Sequence, residues 1–147
     1  MVQAADLLAR QEHSSRKLKE KLIKRGYEES EVDTAISKLE AAHYLNDEDA
    51  CKRAFAYFYN EGRLSVRQIV QKLVQRGFER EMVTGNIPEE TTERETAAAL
   101  KALRLKFRQG GVWEKMQQYL YTRGFDGTAR RMAIEAFREE FDENGES

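Results

Sequence analysis

The sequence predicts an all-α protein of three tandem three-helix repeats that form an elongated, curved, solenoid-like body. The 147 residues include only nine glycines and one proline, which is too little turn chemistry for a protein with many strands. A helical segment that ends in arginine, glycine and an aromatic residue also occurs three times, at intervals typical of helical repeat proteins. These two observations favour stacked helices.

The three copies of the segment share one physical explanation. The glycine can adopt the left-handed conformation that ends a helix, and the aromatic residue after it can fold back onto a leucine in the last turn. We expect these contacts between Leu22 and Tyr27, Leu73 and Phe78, and Leu120 and Phe125. Each middle helix should therefore end at a defined residue.

The first repeat is expected to cover residues 1–43. Its last helix should begin at Ser30, whose hydroxyl can cap the helix with Asp33 at the capping-box position. The apolar stripe of that helix has helical spacing and consists of Val32, Ile36 and Leu39.

The second repeat is expected to cover residues 44–90. Its middle helix should open at Ser65, with Gln68 at the capping-box spacing, and Pro88 should shorten the third helix. The apolar stripe of the first helix consists of Cys51, Ala54, Phe55 and Phe58.

The third repeat is expected to cover residues 91–141 and to be followed by an acidic, frayed tail over residues 142–147. Its first helix should open at Thr92 with Glu95 as its capping-box partner. The apolar stripes of its first and last helices consist of Leu100, Leu103 and Phe107, and of Ala129, Met132, Ala133, Ala136 and Phe137.

Composition excludes several classes of protein. With 25 basic and 26 acidic residues the formal net charge is -1, which argues against a uniformly basic nucleic-acid binder. One cysteine cannot form an intramolecular disulfide, and no run approaches the roughly 20 apolar residues of a membrane span. We expect a soluble, cytoplasmic protein.

Catalysis has no support in the residue patterns. His13 and His43 are isolated, and Cys51 lies on an apolar stripe, where a packed thiol is expected rather than a nucleophile. Nucleotide-binding, metalloprotease and hydrolase motifs are lacking. We therefore expect no enzymatic activity, no metal and no cofactor.

Charge is strongly segregated within the first repeat. Its middle helix carries a single acid, Glu20, against six basic residues, and an acidic segment follows. Such a cluster can contact phosphates or an acidic protein surface, and a solvated helix face is the competing interpretation. The basic residues are Arg16, Lys17, Lys19, Lys21, Lys24 and Arg25.

The arginine before each repeat glycine also has two interpretations. Arg25, Arg76 and Arg123 can complement the negative end of the helix dipole, or they can form a cationic stripe that recurs once per repeat. Several aromatic residues can stack on bases or pack in the core; they are Tyr57, Tyr59, Trp113, Tyr119 and Tyr121.

Taken in order, these segments resemble the RecX family of bacterial recombination regulators. The resemblance covers nearly the whole chain, and its ordered set of segments is more specific than any one of them. It departs from the family pattern at His43, Ala50, Glu61 and Lys72. The segments that carry it are Ser15 to Gly26, Tyr44 to Asp47, Gly62 with Ile69, Leu73, Arg76 and Gly77, and Tyr119 to Phe125.

The resemblance implies a non-catalytic negative modulator of the RecA recombinase, active in homologous recombination, DNA repair and the SOS response. Such a modulator binds in the groove of the RecA filament on single-stranded DNA. It inhibits ATP hydrolysis, strand exchange and co-protease activity, in part by blocking filament extension. The expected partner-binding residues are Arg16, Lys17, Lys21, Lys24, Arg25, Arg76 and Arg123.

Two other functions remain open. A helical module that binds nucleic acid directly would associate with DNA without recombinase and in a salt-sensitive manner. A scaffold for another protein would respond neither to DNA nor to the recombinase. In the preferred interpretation the protein is a monomer that makes at most weak direct contact with DNA and none with a membrane.

Overall fold

The computed structural model of the protein describes residues 14–41 and 46–145. Within these ranges the chain forms eight helices and no strand, which confirms the all-α prediction. The first helix expected of the first repeat, and the residues His13, His43, Tyr44 and Leu45, lie outside the described ranges. The helices are α1 (Ser15–Lys24), α2 (Glu29–Ala41), α3 (Asp47–Glu61), α4 (Val66–Gln75), α5 (Arg80–Thr84), α6 (Thr92–Lys106), α7 (Trp113–Thr122) and α8 (Gly127–Gly145).

The described chain divides into two compact units. The N-terminal unit consists of the described residues up to Tyr57 together with residues 70–86, and the C-terminal unit consists of residues 58–69 and those from Ile87 onward. In the N-terminal unit, Leu18 and Leu22 of α1 pack with Val32 and Ile36 of α2. In the C-terminal unit α6, α7 and α8 enclose a core that includes Leu103, Met116, Leu120, Phe125 and Ile134.

The three repeated helix ends have the expected geometry. Gly26, Gly77 and Gly124 have φ values of 97°, 99° and 91°. In each copy the aromatic N–H donates to the leucine carbonyl five residues earlier, at 3.2–3.3 Å, and the glycine N–H donates to the carbonyl three residues earlier, at 2.9–3.0 Å. This pair of bonds defines the Schellman motif, which satisfies carbonyls that a helix end would otherwise leave unpaired.

One of the three predicted capping boxes is present. The N–H of Gln68 donates to Oγ of Ser65 at 3.1 Å, and the N–H of Ser65 donates to Oε1 of Gln68 at 3.0 Å. The box expected at Ser30 is wrong, because α2 already begins at Glu29 and Val32 N–H bonds to the Glu28 carbonyl at 3.0 Å. Ser30 therefore lies inside the first turn.

The box expected between Thr92 and Glu95 is also wrong. Thr92 is the first residue of α6 and follows Thr91 at the N-cap. The N–H of Thr92 bonds instead to Oε1 of Glu90 at 3.0 Å, and the carboxylate of Glu95 bonds to other groups. A side chain that is bonded elsewhere cannot fold back onto its own helix end.

The apolar stripes are confirmed with one exception. Met132 is 41% exposed, while its neighbour Ile134, which was not assigned to the stripe, is fully buried. α5 has only five residues and ends before Pro88, as the proline predicted. The frayed tail expected from residue 142 onward is instead helical as far as Gly145, because no residue that breaks a helix precedes that glycine.

Candidate functional site

The basic residues of α1 differ in their exposure. Leu18 and Leu22 are fully buried and fix which face of the helix points outward. On that outward face Arg16 and Lys24 are exposed, as is Arg25 at the helix end, whereas Lys17 and Lys21 are half-buried beside the apolar stripe. These exposed cations are the ones available to a large partner.

Neighbouring acids neutralise part of the α1 charge. Lys19 Nζ lies 2.8 Å from Asp33 and 3.3 Å from Glu29, both on α2. Hydrogen bonds to Asp33 and then Glu29 raise the pKa of Lys19. Lys17 Nζ lies 3.3 Å from Glu20 on its own helix. The acidic segment after α1 therefore balances the middle of the helix and leaves its two ends cationic.

Arg76 lies next to the start of α1. The hydroxyl of Ser14 accepts from the N–H of Lys17 at 3.1 Å and donates to the carbonyl of Arg76 at 3.3 Å. A Cβ on Gly77 would lie 2.3 Å from Ser14 Oγ and 2.6 Å from Lys17 Cγ. Through Ser14, the structure therefore links the backbone of Arg76 to that of Lys17, two of the predicted partner-binding residues.

The C-terminal unit contains a second arrangement of the same kind, in which a serine at a helix start donates to the carbonyl of the arginine before the next repeat glycine. Each such arrangement is called a joint below. The hydroxyl of Ser65 donates to the carbonyl of Arg123 at 2.6 Å, and a Cβ on Gly124 would lie 3.0 Å from Arg67 Cβ and 3.1 Å from Ser65 Oγ. An acid completes each joint by accepting from the first N–H of the capped helix. Asp47 accepts from Ser15 at 2.8 Å, and Glu95 accepts from Val66 at 3.1 Å.

Arg123 lies in a different unit from the basic residues between Arg16 and Arg25, which are called here the α1 cluster. Its guanidinium carbon lies 4.8 Å from the ring centroid of Tyr119, and Lys106 Nζ lies 5.9 Å from the same centroid. The ring of Phe107 meets that of Tyr119 edge-on, with 5.7 Å between centroids. Lys106 and Lys115, which were not predicted as site residues, line the same groove of about 640 Å³.

Arg94 is a cation with a structural role. Its guanidinium donates to the carbonyls of Phe58, Tyr59 and Leu64 at 3.1, 3.0 and 2.5 Å, so it caps the end of α3. It also donates to Glu95 at 2.7 Å. Burial raises the pKa of Glu95, against the opposing effects of Arg94 and the Val66 N–H. Arg94 and Glu95 are therefore largely buried and hydrogen-bonded within the protein, so they are not accessible to a partner.

The structure offers no catalytic arrangement around Cys51. Its side chain is buried with Ala54 and Phe55, and the amide nitrogen of Asn86 lies 3.7 Å from its sulfur. Burial raises the pKa of the thiol, which disfavours the reactive thiolate. Among the described residues there is no cluster of potential metal ligands, and no helix there is long and apolar enough to cross a membrane.

Comparison with known proteins places the chain in a family. The family model "RecX, first three-helix domain" matches residues 1–39. The regulatory protein RecX of Neisseria meningitidis serogroup C is 31% identical over 149 residues, which cover 97% of this chain and 92% of that protein. The chain belongs to the RecX family. Relatives in this family carry the name of regulatory proteins.

Two further RecX proteins extend the comparison. The regulatory protein RecX of Caldanaerobacter subterraneus is 29% identical over 125 residues, and the match spans 82% of this chain but only 61% of that longer protein. The crystal structure of RecX from Lactobacillus salivarius matches with a TM-score of 0.71 and 17% identity over 92% of each chain. That structure supports the helical fold.

Proposed function

We propose that the protein is a negative modulator of the RecA recombinase. It binds in the groove of the RecA filament on single-stranded DNA and inhibits ATP hydrolysis, strand exchange and co-protease activity, in part by blocking filament extension. Membership of the RecX family is the observation that carries this proposal. The protein acts in the cytoplasm as a monomer and without catalysis of its own, within homologous recombination, DNA repair and the SOS response.

The basic residues supply the chemistry for such a partner. A nucleoprotein filament presents phosphates and acidic side chains, and local cationic surfaces can bind both although the net charge is -1. Arg16, Lys24 and Arg25 are the exposed cations of α1. The proposed contact set is completed by Lys17, Lys21, Arg76 and Arg123.

The repeat organisation suits a helical polymer. Repeats at residues 1–43, 44–90 and 91–141 would present similar surfaces in succession, and neighbouring filament subunits would meet them in turn. A ligand that binds one filament state better than another shifts assembly by that difference in affinity. The repeat boundaries stay a prediction.

The proposal is tested by titrating the purified protein into preformed RecA filaments on single-stranded DNA while ATP hydrolysis is followed. Hydrolysis should fall to a plateau, and filament extension, followed by light scattering, should stop over the same concentration range. Unchanged hydrolysis at saturating protein would contradict the proposal.

The α1 contacts are tested with a matched pair of variants. Arg25→Glu and Lys38→Glu both place a carboxylate at an exposed position in or next to the last turn of a helix in the N-terminal unit, so both carry a similar unfavourable interaction with the helix dipole. Only Arg25→Glu removes a proposed contact. We expect weaker inhibition from Arg25→Glu, unchanged inhibition from Lys38→Glu, and the same helical circular dichroism for both.

A further inference from the structure

The groove between α6 and α7 is a cationic site that is distinct from the α1 cluster. Its lining includes Lys106, Lys115 and Arg123 together with the rings of Phe107 and Tyr119. No aspartate or glutamate is among the described residues that line it. None of the three cations forms an ion pair with a described carboxylate, in contrast to Lys17, Lys19 and Arg104.

We propose that this groove, called here the α6–α7 groove, binds the phosphodiester backbone of a single nucleic-acid strand. The inference goes beyond the proposed function, because it makes nucleic acid a direct ligand in the absence of any recombinase. It assigns Lys106, Lys115 and Arg123 to phosphate contacts and Tyr119 to the positioning of two of these cations.

The first argument is electrostatic. The charged groups of Arg123 and Lys106 lie 4.8 and 5.9 Å from the centre of one Tyr119 ring, and the electron-rich face of an aromatic ring attracts cations. Tyr119 thus holds together two like charges that repel each other. A phosphate that bound both cations would relieve that repulsion and would accept charge-assisted hydrogen bonds from them.

The second argument concerns the shape of the ligand. The groove has a volume of about 640 Å³, which is in the range of sites for small ligands and suits a short segment of one strand better than a duplex. Cations that follow a backbone beside aromatic rings are the usual combination in proteins that bind single strands. Phe107, set edge-on to Tyr119, supplies an apolar wall for a sugar or base.

The test measures binding of the full-length chain to a fluorescently labelled oligothymidylate by anisotropy, without recombinase, over a range of salt concentrations. Lys106→Gln and Lys115→Gln should each weaken binding about tenfold at low salt, the effect of losing one charge-assisted hydrogen bond. Each should also lower the slope of log affinity against log salt by about 0.7, the value for one phosphate contact with a single strand.

The matched control is Lys101→Gln, which removes an exposed lysine from the same helix but outside the groove. It should leave both the affinity and the salt slope unchanged. Tyr119→Phe keeps the ring and should bind as the unmodified chain does, whereas Tyr119→Leu should bind as weakly as the lysine variants. Circular dichroism and thermal unfolding of each variant check that the fold is retained.

Four outcomes would overturn the inference. They are no binding of oligothymidylate by the unmodified chain, equal losses in Lys101→Gln and Lys106→Gln, equally tight binding of a duplex, and displacement of the oligonucleotide by polyglutamate at the same charge concentration. The last outcome would make the groove a site for an acidic protein segment. In every case the recombinase assay is scored separately, so inhibition of ATP hydrolysis without DNA binding would remove this inference and leave the proposed function standing.

Discussion

The three repeat glycines share one backbone conformation but differ in their surroundings. Gly26 and Gly77 have φ values of 97° and 99°, a region that side chains other than glycine rarely occupy. A Cβ on Gly26 would meet no atom of the described residues within 4 Å, whereas one on Gly77 would lie 2.3 Å from Ser14 Oγ. Gly77 is therefore required twice, by its own dihedral angle and by the close approach of α1.

Alanine at these two glycines separates the two requirements. Gly26→Ala should lower the free energy of unfolding by about 1–2 kcal/mol, the cost of a left-handed residue with a Cβ. Gly77→Ala should lose a further ~1–3 kcal/mol, because Ser14 and Lys17 must move to accommodate the methyl group. Urea denaturation of both variants measures the difference, and equal losses would show that the joint at Gly77 tolerates a side chain.

Glu95 couples stability to pH in the opposite sense from most paired carboxylates. Burial raises its pKa above the ordinary value of 4.5, so the folded chain binds this proton more tightly than the unfolded chain does. The contribution of Glu95 to stability is therefore greatest when the carboxyl is protonated. It declines as pH rises from the ordinary pKa to the raised pKa of the folded state.

Removal of this titration gives a measurable pH dependence. As pH rises above 4.5, the free energy of unfolding of the unmodified chain should fall relative to that of Glu95→Gln. Glu140→Gln is the control of opposite sign, because its bond with Arg104 lowers the pKa of Glu140 and thus stabilises the fold above the ordinary pKa. Urea denaturation at several pH values measures both slopes, and parallel slopes for the two variants would contradict the assignment.

The N-terminus of the middle helix serves two purposes in two of the repeats. Ser14 and Ser65 each cap their own helix and donate to the carbonyl of the arginine before the next repeat glycine. Val112 holds the equivalent N-cap position of α7, is 56% exposed and makes no side-chain cap bond. Serine thus occurs at the two helix starts that are joined to the next repeat.

Loss of the Ser65 hydroxyl should weaken both the cap and the joint. Ser65→Ala should lower the free energy of unfolding by about 2 kcal/mol, since a typical N-cap contributes about 1 kcal/mol and a buried hydrogen bond about 1 more. Ser30→Ala is the control: Ser30 is exposed and lies inside α2, so its change should be within about 0.5 kcal/mol. Similar losses in the two variants would remove the structural role assigned to Ser65.

At the scale of the whole molecule, the sequence predicts what local chemistry determines. The all-α class, the Schellman ends, the Ser65 capping box and most core positions depend on residues within a few positions of each other. The predicted capping box at Ser30 is wrong because the same short polar pattern also occurs inside a helix. The predicted box at Thr92 is wrong because Glu90 accepts the hydrogen bond from the Thr92 N–H instead. Met132 is exposed and Ile134 is buried, which the prediction missed because the spacing of apolar residues along one helix does not show how far around that helix the core extends.

Long-range pairing explains what the sequence did not reveal. The joints connect residues 62 and 58 positions apart, and the α6–α7 groove collects cations from two helices. One signal was present: Ser14 and Ser65 are separated by 51 residues, as are Gly26 and Gly77. Alignment of the copies on their glycines would have identified the recurring serine.

The two joints should act independently if the chain is a series of repeats with nearest-neighbour contacts. They share no residue, and they lie in different compact units. The losses of stability in Ser14→Ala and Ser65→Ala should therefore add in the double variant to within about 0.5 kcal/mol. Urea denaturation of the four proteins measures the coupling, provided that each unfolds in a single transition. A coupling well above that value would mean that one joint reorganises when the other is broken, and the repeats would then act as one cooperative structure.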